Sequence, residues 1–222
     1  MHILLTRPLE DCSEIILKFK SLGHQVSHLP LLKIEKINYE DVNFNDYGAI
    51  IFTSANAVKF LDLNKLDKNI MCFCVGGMTE KKARGAGFQN TIAAEGNVLN
   101  LKELILQNYL FKDKPLLYIS GELISVNLDK MLLNEGYSVK RIINYKVSHN
   151  EKFAENFVKE LKVNMPDMVY IYSQNSALSF LNFIKNHQSE RLWMNTNLMC
   201  IGEKTSSILN EIKWKKIFLF NP

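Results

Sequence analysis

Six short polar segments follow apolar runs in this sequence, and their residue types suit the binding of an anion. They combine hydroxyl, amide and glycine residues, and segments with helical spacing come after them. A hydroxyl or Asn in such a place caps the next helix, and the unpaired N–H groups of the first helical turn then favour a negative charge. The six segments are Thr6-Arg7-Pro8, Thr53-Ser54-Ala55-Asn56, Gly76-Gly77-Met78-Thr79, Ser120-Gly121-Glu122, Ser173-Gln174-Asn175-Ser176 and Gly202-Glu203-Lys204-Thr205.

Helix capping alone would explain any one of these segments. Six of them together favour a cleft lined with hydrogen-bond donors, and their glycines allow the backbone to approach a ligand closely. None matches the nucleotide-binding patterns GxGxxG or GxxxxGK[ST], so nucleotide binding is not supported. The catalytic patterns GxSxG and HExxH are also missing from the sequence. An enzyme with this sequence would therefore hold and shape a reactive substrate, with one weak acid assisting.

The cysteines raise the separate possibility of a metal or redox site. Cys72 and Cys74 form a Cys-x-Cys pair, whose thiols would share one face of a strand. Further Cys or His residues at zinc-site spacing are missing, and the five histidines are scattered. We therefore expect no metal site, and we interpret these cysteines as small buried apolar side chains.

The apolar runs before the polar segments have the length and composition of buried strands. Residues 49–52 and 168–171 are examples, since each run is followed by hydroxyl residues and then by helical spacing. Between these two runs, the pattern predicts a helix from Thr79 and a short strand over residues 89–92. The alternation of such runs with helical patterns is typical of parallel sheets covered by helices. In an open parallel sheet, ligands bind beyond the carboxyl ends of the strands. The sequence therefore predicts an α/β fold with its site at those ends.

The second half of the chain repeats the first. Three blocks recur in the same order, with separations that grow from 113 or 114 residues to 120 and then 126. Two copies indicate a duplicated unit and are too few for a solenoid. The aligned pairs are Thr6 with Ser120, Gly23 with Gly136, Phe52 with Tyr172, and Gly76 with Gly202.

Two extended segments occupy equivalent places in the two repeats. Residues 31–39 and 140–150 alternate apolar and polar side chains, and each follows the first strand-helix-strand of its repeat. Pairing between them would carry the chain from one lobe to the other and back. We therefore predict one discontinuous lobe from residues 1–35 and 150–222, and a second lobe from residues 36–149.

Composition limits the functional class. The 222 residues are 47% hydrophobic and 23% charged, which is ordinary for a soluble globular protein. No apolar stretch approaches the roughly 20 residues that cross a bilayer, and the N-terminus does not resemble a signal peptide, so we expect no membrane contact and a cytoplasmic location. The net charge of +4 is spread along the chain, which argues against a nucleic-acid surface. We also expect a monomer.

The same blocks resemble the uroporphyrinogen-III synthase family over nearly the whole chain. The matching segments are LLTRP, FTSANAVKFL, CVGGMTEKKARGAGF, VKRIINYKV, YSQNSALSF and CIGEKTSSIL. The resemblance implies two flavodoxin-like α/β lobes joined by a two-stranded β linker. It implies a lyase of heme biosynthesis that cyclises hydroxymethylbilane to uroporphyrinogen III, with loss of water, inversion of the terminal pyrrole ring and no cofactor. It also admits a transient hand-over of substrate from the preceding enzyme of the pathway.

The resemblance also implies a set of site residues. Tyr145 matches the linker tyrosine that helps the substrate hydroxyl to leave, and a phenol with a pKa near 10 is a proton donor at neutral pH. Packing of the linker is the competing interpretation of Tyr145, and Lys204 is equally explained as a solvated surface residue. The substrate carries eight carboxylates, which loop N–H groups and hydroxyls would hold in a cleft between the lobes. The implied binding residues are Thr6, Arg7, Ser54, Ala55, Asn56, Gly76, Thr79, Ser120, Gly121, Ser173, Ser176, Gly202, Lys204 and Thr205.

The sequence departs from the family in two places. Members often carry an Arg soon after the turn at Gly121, but SGELISVNL has none, which leaves carboxylate pairing there unexplained. The sequence also ends at IFLFNP, where many relatives continue with a helix. We therefore expect the lobe that contains the C-terminal residues to lack that helix at its edge. The alternative functions are a non-catalytic two-lobed binding or sensor protein for a small anionic metabolite, and a sugar-nucleotide transferase.

Overall fold

A computed structural model describes residues 1–63, 66–110 and 113–220. Their contacts divide the chain into two compact units, each of which has its own sheet and core. Unit 1 comprises Met1–Lys33 and Ser148–Pro222, and unit 2 comprises Ile34–Val147. The last two residues of the C-terminal segment singled out in the sequence lie outside the described residues.

Strands and helices alternate along most of the chain. The strands are β1 (His2–Leu5), β2 (Gln25–His28), β3 (Leu32–Lys36), β4 (Ala49–Phe52), β5 (Met71–Val75), β6 (Thr91–Ala94), β7 (Leu116–Gly121), β8 (Val139–His149), β9 (Met168–Ile171), β10 (Asn197–Ile201) and β11 (Lys216–Phe220). The helices are α1 (Leu9–Ser21), α2 (Ala55–Lys59), α3 (Gly76–Gly85), α4 (Val98–Asn108), α5 (Leu128–Asn134), α6 (Glu155–Val163), α7 (Gln174–Asn186) and α8 (Glu203–Ser206).

The sheet of unit 1 is parallel and has the order β11-β10-β9-β1-β2. Numbered within the unit, this order is 2-1-3-4-5, the flavodoxin arrangement. β1 is buried along its whole length because α1 covers one face, where Ile3 and Leu5 pack, and the main core of the unit covers the other, where Leu4 packs. A strand covered on both faces must be apolar throughout, which explains the continuous run HILL.

The sheet of unit 2 has the order β3-β8-β7-β4-β5-β6, and the strands from β8 to β6 are parallel. Counted from β7, this is again the order 2-1-3-4-5. Each unit therefore combines the first two strands of one sequence repeat with the last three of the other. The exchange follows from the duplication, because either repeat supplies strands that complete the same sheet.

The two extended segments pair as a linker. The N–H of Ile37 donates to the carbonyl of Asn144 at 2.9 Å, and the N–H of Asn150 donates to the carbonyl of Leu31 at 2.9 Å. One strand therefore runs forward as the other runs back, and β3 and β8 are antiparallel. The predicted α/β fold with parallel sheets and a two-stranded linker is confirmed.

Some element boundaries differ from the sequence prediction. We expected a helix from Thr79, but α3 begins at Gly76, whose φ of +73° turns the chain directly out of β5. Glycine tolerates this left-handed conformation, whereas a side chain would be strained. The strand predicted at 89–92 is displaced, and β6 instead spans Thr91–Ala94. Its register is set by its pairing with β5, in which Cys72 lies opposite Thr91.

The four thiols should be inert in the folded protein. All four cysteines are buried, and burial raises the pKa of the Cys74 and Cys200 thiols to about 12. The thiolate is the reactive form, so we expect iodoacetamide at pH 8 to alkylate none of them in native protein and all four in urea, as counted by mass spectrometry. Because the folded state holds the protons more tightly, the thiols' contribution to stability is complete below about pH 9 and is lost as the pH rises towards 12. Rapid alkylation of a native thiol would contradict this prediction.

Candidate functional site

The polar segments lie at the carboxyl ends of the strands in both units. In unit 1 they follow β1, β9 and β10, and in unit 2 they follow β4 and β5 and include the last two residues of β7. In each sheet there is one place where the strand order reverses its direction. The crevice outside the carboxyl ends of the two strands at that place is where parallel sheets usually bind ligands. This crevice lies beyond β1 and β9 in unit 1, and beyond β7 and β4 in unit 2.

Two segments of unit 1 enclose an open depression of about 580 Å³. It lies where β9 leads into α7 and where β10 leads into α8. Most of the residues that line it have polar side chains, and they include four of the predicted binding residues. The lining residues are Ser173, Gln174, Asn175, Ile201, Gly202, Glu203, Lys204 and Thr205.

Ser173 is the N-cap of α7. Its Oγ accepts the N–H of Ser176 at 3.1 Å and shares a second hydrogen bond with the Ser176 hydroxyl at 2.8 Å. Ser176 and Thr205 are buried, so their side chains pack within the fold, whereas Lys204 is exposed. Gly202 has a φ of +68°, and a Cβ there would contact nothing within 4 Å. The glycine is therefore required by the turn and leaves open space beside the backbone.

The first segment of unit 1 divides its two side chains between the sheet and the surface. Thr6 is fully buried, and its hydroxyl donates to the carbonyl of Tyr170 at 2.6 Å, which ties β1 to β9. The guanidinium of Arg7 lies 5.1 Å from the centre of the Tyr172 ring and 3.5 Å from the carboxylate of Asp11. Its side chain is 43% exposed, so it remains able to reach a ligand.

In unit 2, the segment after β4 is also a helix cap. The Oγ of Ser54 accepts the N–H of Asn56 at 3.2 Å, and Ala55 begins the short helix α2. Next to it, the hydroxyl of Thr53 shares a hydrogen bond with the Tyr118 hydroxyl at 3.1 Å. This contact ties the end of β4 to a residue in the middle of β7, and these two strands flank the crevice.

The segment after β5 leaves a helix start without a side-chain cap. The N-cap of α3 is Val75, whose side chain offers no acceptor. A Cβ at either Gly76 or Gly77 would meet nothing within 4 Å, so the backbone here borders open space. Thr79 is buried within α3 and faces the protein interior. The free N–H groups of the first turn are therefore the donors available at this strand end.

The segment at the end of β7 is held by an arginine that the sequence pattern did not indicate. Ser120 and Gly121 are buried, and Arg141 of β8 donates from Nε to the Ser120 hydroxyl at 2.8 Å. Its Nη2 donates to the carbonyl of Gly121 at 2.8 Å and to that of Glu122 at 3.1 Å. The guanidinium therefore contacts the first three residues of the segment SGELISVNL, which has no arginine of its own. The only available signal was the repeat, which aligns Arg141 with His28.

Tyr145 lies on β8 opposite Gly121, next to an irregularity in the strand register. It is 8% exposed, and its ring centre lies 6.5 Å from that of Phe60. A Cβ at Gly121 would approach the Tyr145 ring to 2.7 Å, so the ring packs directly on that glycine. Among the hydrogen bonds of the described residues, none uses the Tyr145 hydroxyl. The side chain is thus packed, with an uncommitted donor at its tip.

The described part of the chain has neither a cluster of metal ligands nor a membrane-spanning helix. No group of three or more His, Cys, Asp and Glu residues there is arranged to hold a metal ion. None of the helices in the same residues combines the length and the apolar character needed to span a membrane.

Known structures share this fold. The chain matches the crystal structure of uroporphyrinogen-III synthetase from Helicobacter pylori 26695 with a TM-score of 0.65 and 20% identity, covering 98% of this chain and 91% of that one. It matches a mutant uroporphyrinogen III synthase from the extremely thermophilic bacterium Thermus thermophilus with a TM-score of 0.54 and 14% identity, covering 98% and 92%. At these identities the likeness shows the fold alone.

Sequence comparison gives a relative and a family. The chain is 21% identical over 220 residues to the porphyrin biosynthesis protein HemD of Ruminiclostridium josui. The match covers 92% of this chain but only 42% of that protein. The family described as uroporphyrinogen-III synthase HemD matches residues 13–219. Because that match takes in most of the chain, the protein belongs to the uroporphyrinogen-III synthase family.

Proposed function

We propose that this protein catalyses the cyclisation of hydroxymethylbilane to uroporphyrinogen III, with loss of water and inversion of the terminal pyrrole ring. The observation that carries the proposal is the family match over residues 13–219. The strand ends described above support it, because they offer backbone N–H groups and hydroxyls to a substrate with many carboxylates. The depression beside Ser173 and the uncapped start of α3 are the two clearest such places.

Binding and orientation are the main tasks of this site. The substrate is already reactive, so holding its two terminal rings together supplies much of the rate advantage. Selectivity is the harder task, because the free substrate closes by itself to the uninverted isomer. A difference of about 3 kcal/mol between the two barriers gives more than a hundredfold preference for one product. Many fixed hydrogen bonds to the carboxylates are suited to imposing such a difference.

Tyr145 is the proposed acid. Its phenol donates a proton as the carbon–oxygen bond of the hydroxymethyl group breaks, and the hydroxyl leaves as water. The resulting cation bonds to the α carbon of the terminal ring that already carries the bridging methylene, which gives a spiro intermediate. The bond between that carbon and the original methylene then breaks, and the methylene bonds to the free α carbon of the same ring, which inverts the ring. Loss of a proton from the closed macrocycle restores the phenol, so the reaction releases one water molecule and consumes no cofactor. The uncommitted hydroxyl at the tip of a packed ring suits this role.

The activity is tested directly with substrate made in place by the preceding enzyme. The products are oxidised to porphyrins, and the type I and type III isomers are separated by chromatography. We expect type III to predominate with the protein present and type I alone in its absence. Type I alone in both samples would reject the proposed activity and leave a binding or sensor role.

Three finer statements belong to the same proposal: the protein works in the cytoplasm, as a monomer, and receives its substrate by transient hand-over from the preceding enzyme. Hand-over would be useful because hydroxymethylbilane closes spontaneously. An inactive, correctly folded variant added as a competitor should then lower type III production by the coupled pair. Sedimentation at micromolar concentration tests the monomer.

Replacing Ser173 tests whether the depression receives carboxylates. An aspartate at the N-cap preserves the cap of α7, so we expect Ser173→Asp to keep the stability of the wild type. Its negative charge should repel the substrate and raise KM about 10-fold at low salt, with a smaller effect at high salt. Ser173→Ala is the matched control, which should lose about 1 kcal/mol of stability and change KM less. An unchanged KM for Ser173→Asp would place the carboxylates elsewhere.

A further inference from the structure

The guanidinium of Arg141 is only partly used by the fold. An arginine side chain has five N–H donors. Three of them serve the end of β7, with Nε bound to the Ser120 hydroxyl and Nη2 bound to the carbonyls of Gly121 and Glu122. Among the described residues no hydrogen bond is made by Nη1. Both N–H groups of Nη1 are therefore free to donate to a ligand.

The charge of Arg141 is also unneutralised. All three of its acceptors are neutral oxygens, and no carboxylate of the described residues lies within ion-pair distance of it. The side chain is partly buried, so water screens it less than it would screen a surface lysine. A partly desolvated guanidinium with uncommitted N–H donors and an unneutralised charge attracts a carboxylate strongly.

The position of Arg141 connects it to the crevice of unit 2. Its guanidinium lies 6.0 Å from the centre of the Tyr118 ring, and the Tyr118 hydroxyl shares a hydrogen bond with Thr53 at the end of β4. The loop that Arg141 holds begins at Gly121, against which the ring of Tyr145 packs. The free charge and the proposed acid therefore contact the same turn.

The sequence repeat provides an independent comparison. In unit 1, Nε2 of His28 in β2 donates to the carbonyl of Arg7 at 2.7 Å, much as Arg141 in β8 donates to the carbonyl of Gly121. In both units a side chain of the second strand thus supports the turn after the first strand. Support of the turn needs only one donor, which a histidine supplies. The additional donors and the permanent charge of Arg141 exceed that structural requirement.

We propose that Arg141 binds one carboxylate of the substrate through Nη1, while Nε and Nη2 hold the turn at residues 120–122. The proposal rests on the proposed function, because it assigns a polycarboxylate to this site. It makes Arg141 a binding residue that anchors one substituent of the substrate near Tyr145. The residue would supply the positive charge that the loop after Gly121 lacks.

The test compares Arg141→Gln, Arg141→Lys and a matched control, Lys140→Gln, which removes an exposed charge from the neighbouring position of the same strand. The probes are uroporphyrin III, with eight carboxylates, and coproporphyrin III, with four, and binding is followed by porphyrin fluorescence at low and high salt. We expect Arg141→Gln to weaken uroporphyrin III binding about 10-fold or more, with a shallower salt dependence, and Arg141→Lys to restore part of the affinity. Lys140→Gln should bind like the wild type. In turnover, Arg141→Gln should raise KM more than it lowers kcat.

Three results would overturn the inference: wild-type protein that fails to bind uroporphyrin III, equal binding by wild type and Arg141→Gln, or equal losses in Arg141→Gln and Arg141→Lys for both probes together with a lowered melting temperature. The last result would show support of the turn alone. The outcome is separable from the proposed activity. Wild-type protein that binds the probe through Arg141 but forms no type III isomer would reject the activity and keep the carboxylate site.

Discussion

Replacing Tyr145 with phenylalanine should slow turnover by 10-fold or more while leaving the fold intact. The substitution removes only the hydroxyl, and none of the hydrogen bonds of the described residues depends on it, so the free energy of unfolding should change by less than about 0.5 kcal/mol. General acids contribute roughly 10² to 10⁴ to a rate, and a partial loss is expected because water can replace the phenol. The measurement is kcat for type III formation, together with a urea unfolding curve.

Tyr137→Phe is the matched control for this prediction. The Tyr137 hydroxyl is buried and donates to the carbonyl of Tyr109 at 2.9 Å. Its loss should cost about 1 kcal/mol of stability without affecting the rate of the folded enzyme. The two variants should therefore show opposite patterns. An unchanged kcat in Tyr145→Phe would return Tyr145 to the packing interpretation.

Replacing Gly48 with alanine should strongly destabilise unit 2. A Cβ at Gly48 would lie 1.8 Å from the hydroxyl oxygen of Tyr109 and 3.0 Å from Cβ of Lys114. The ring of Tyr109 cannot simply move, because it is buried, packs edge-on against Phe73 and donates a hydrogen bond to the Lys114 carbonyl at 2.9 Å. Overpacking and the lost hydrogen bond together should cost about 3 kcal/mol, measured as a lower midpoint in urea.

Gly85→Ala is the control for this second prediction. Gly85 ends α3, and a Cβ there would contact nothing within 4 Å, so alanine should leave stability unchanged or raise it by about 0.5 to 1 kcal/mol. In addition, Tyr109→Phe should recover part of the loss caused by Gly48→Ala, since it removes the atom that clashes most. Full stability in Gly48→Ala would contradict the packing described for Tyr109.

The fold class was predictable because its signals are local. A run such as AIIF, followed at once by Thr53 and Ser54, indicates a strand buried on both faces that ends in a helix cap. The caps at Ser54 and Ser173 agree with that prediction, since each requires only a hydroxyl and the N–H groups two or three residues later. The sequence repeat also indicated that each unit combines strands from both repeats, because equivalent segments can complete equivalent sheets.

The direction in which site side chains point was not predictable in the same way. Thr6 and Ser120 occupy equivalent polar positions, but Thr6 donates to Tyr170, which is 164 residues away, and Ser120 accepts from Arg141. Both hydroxyls therefore serve contacts between neighbouring strands. Periodicity indicates that a residue ends a strand, but it carries no information about which strand lies beside it.

The sequence alone determined where the polar strand ends occur, because apolar periodicity and helix capping act between residues that are close in the chain. Only the tertiary structure placed Arg141 on the turn after β7 and packed Tyr145 on Gly121. Both contacts depend on the pairing of β8 with β7 and on the irregular register at Ser120 and Gly121. Such pairing is decided by the packing of the whole sheet, which brings together residues that are about 20 positions or more apart.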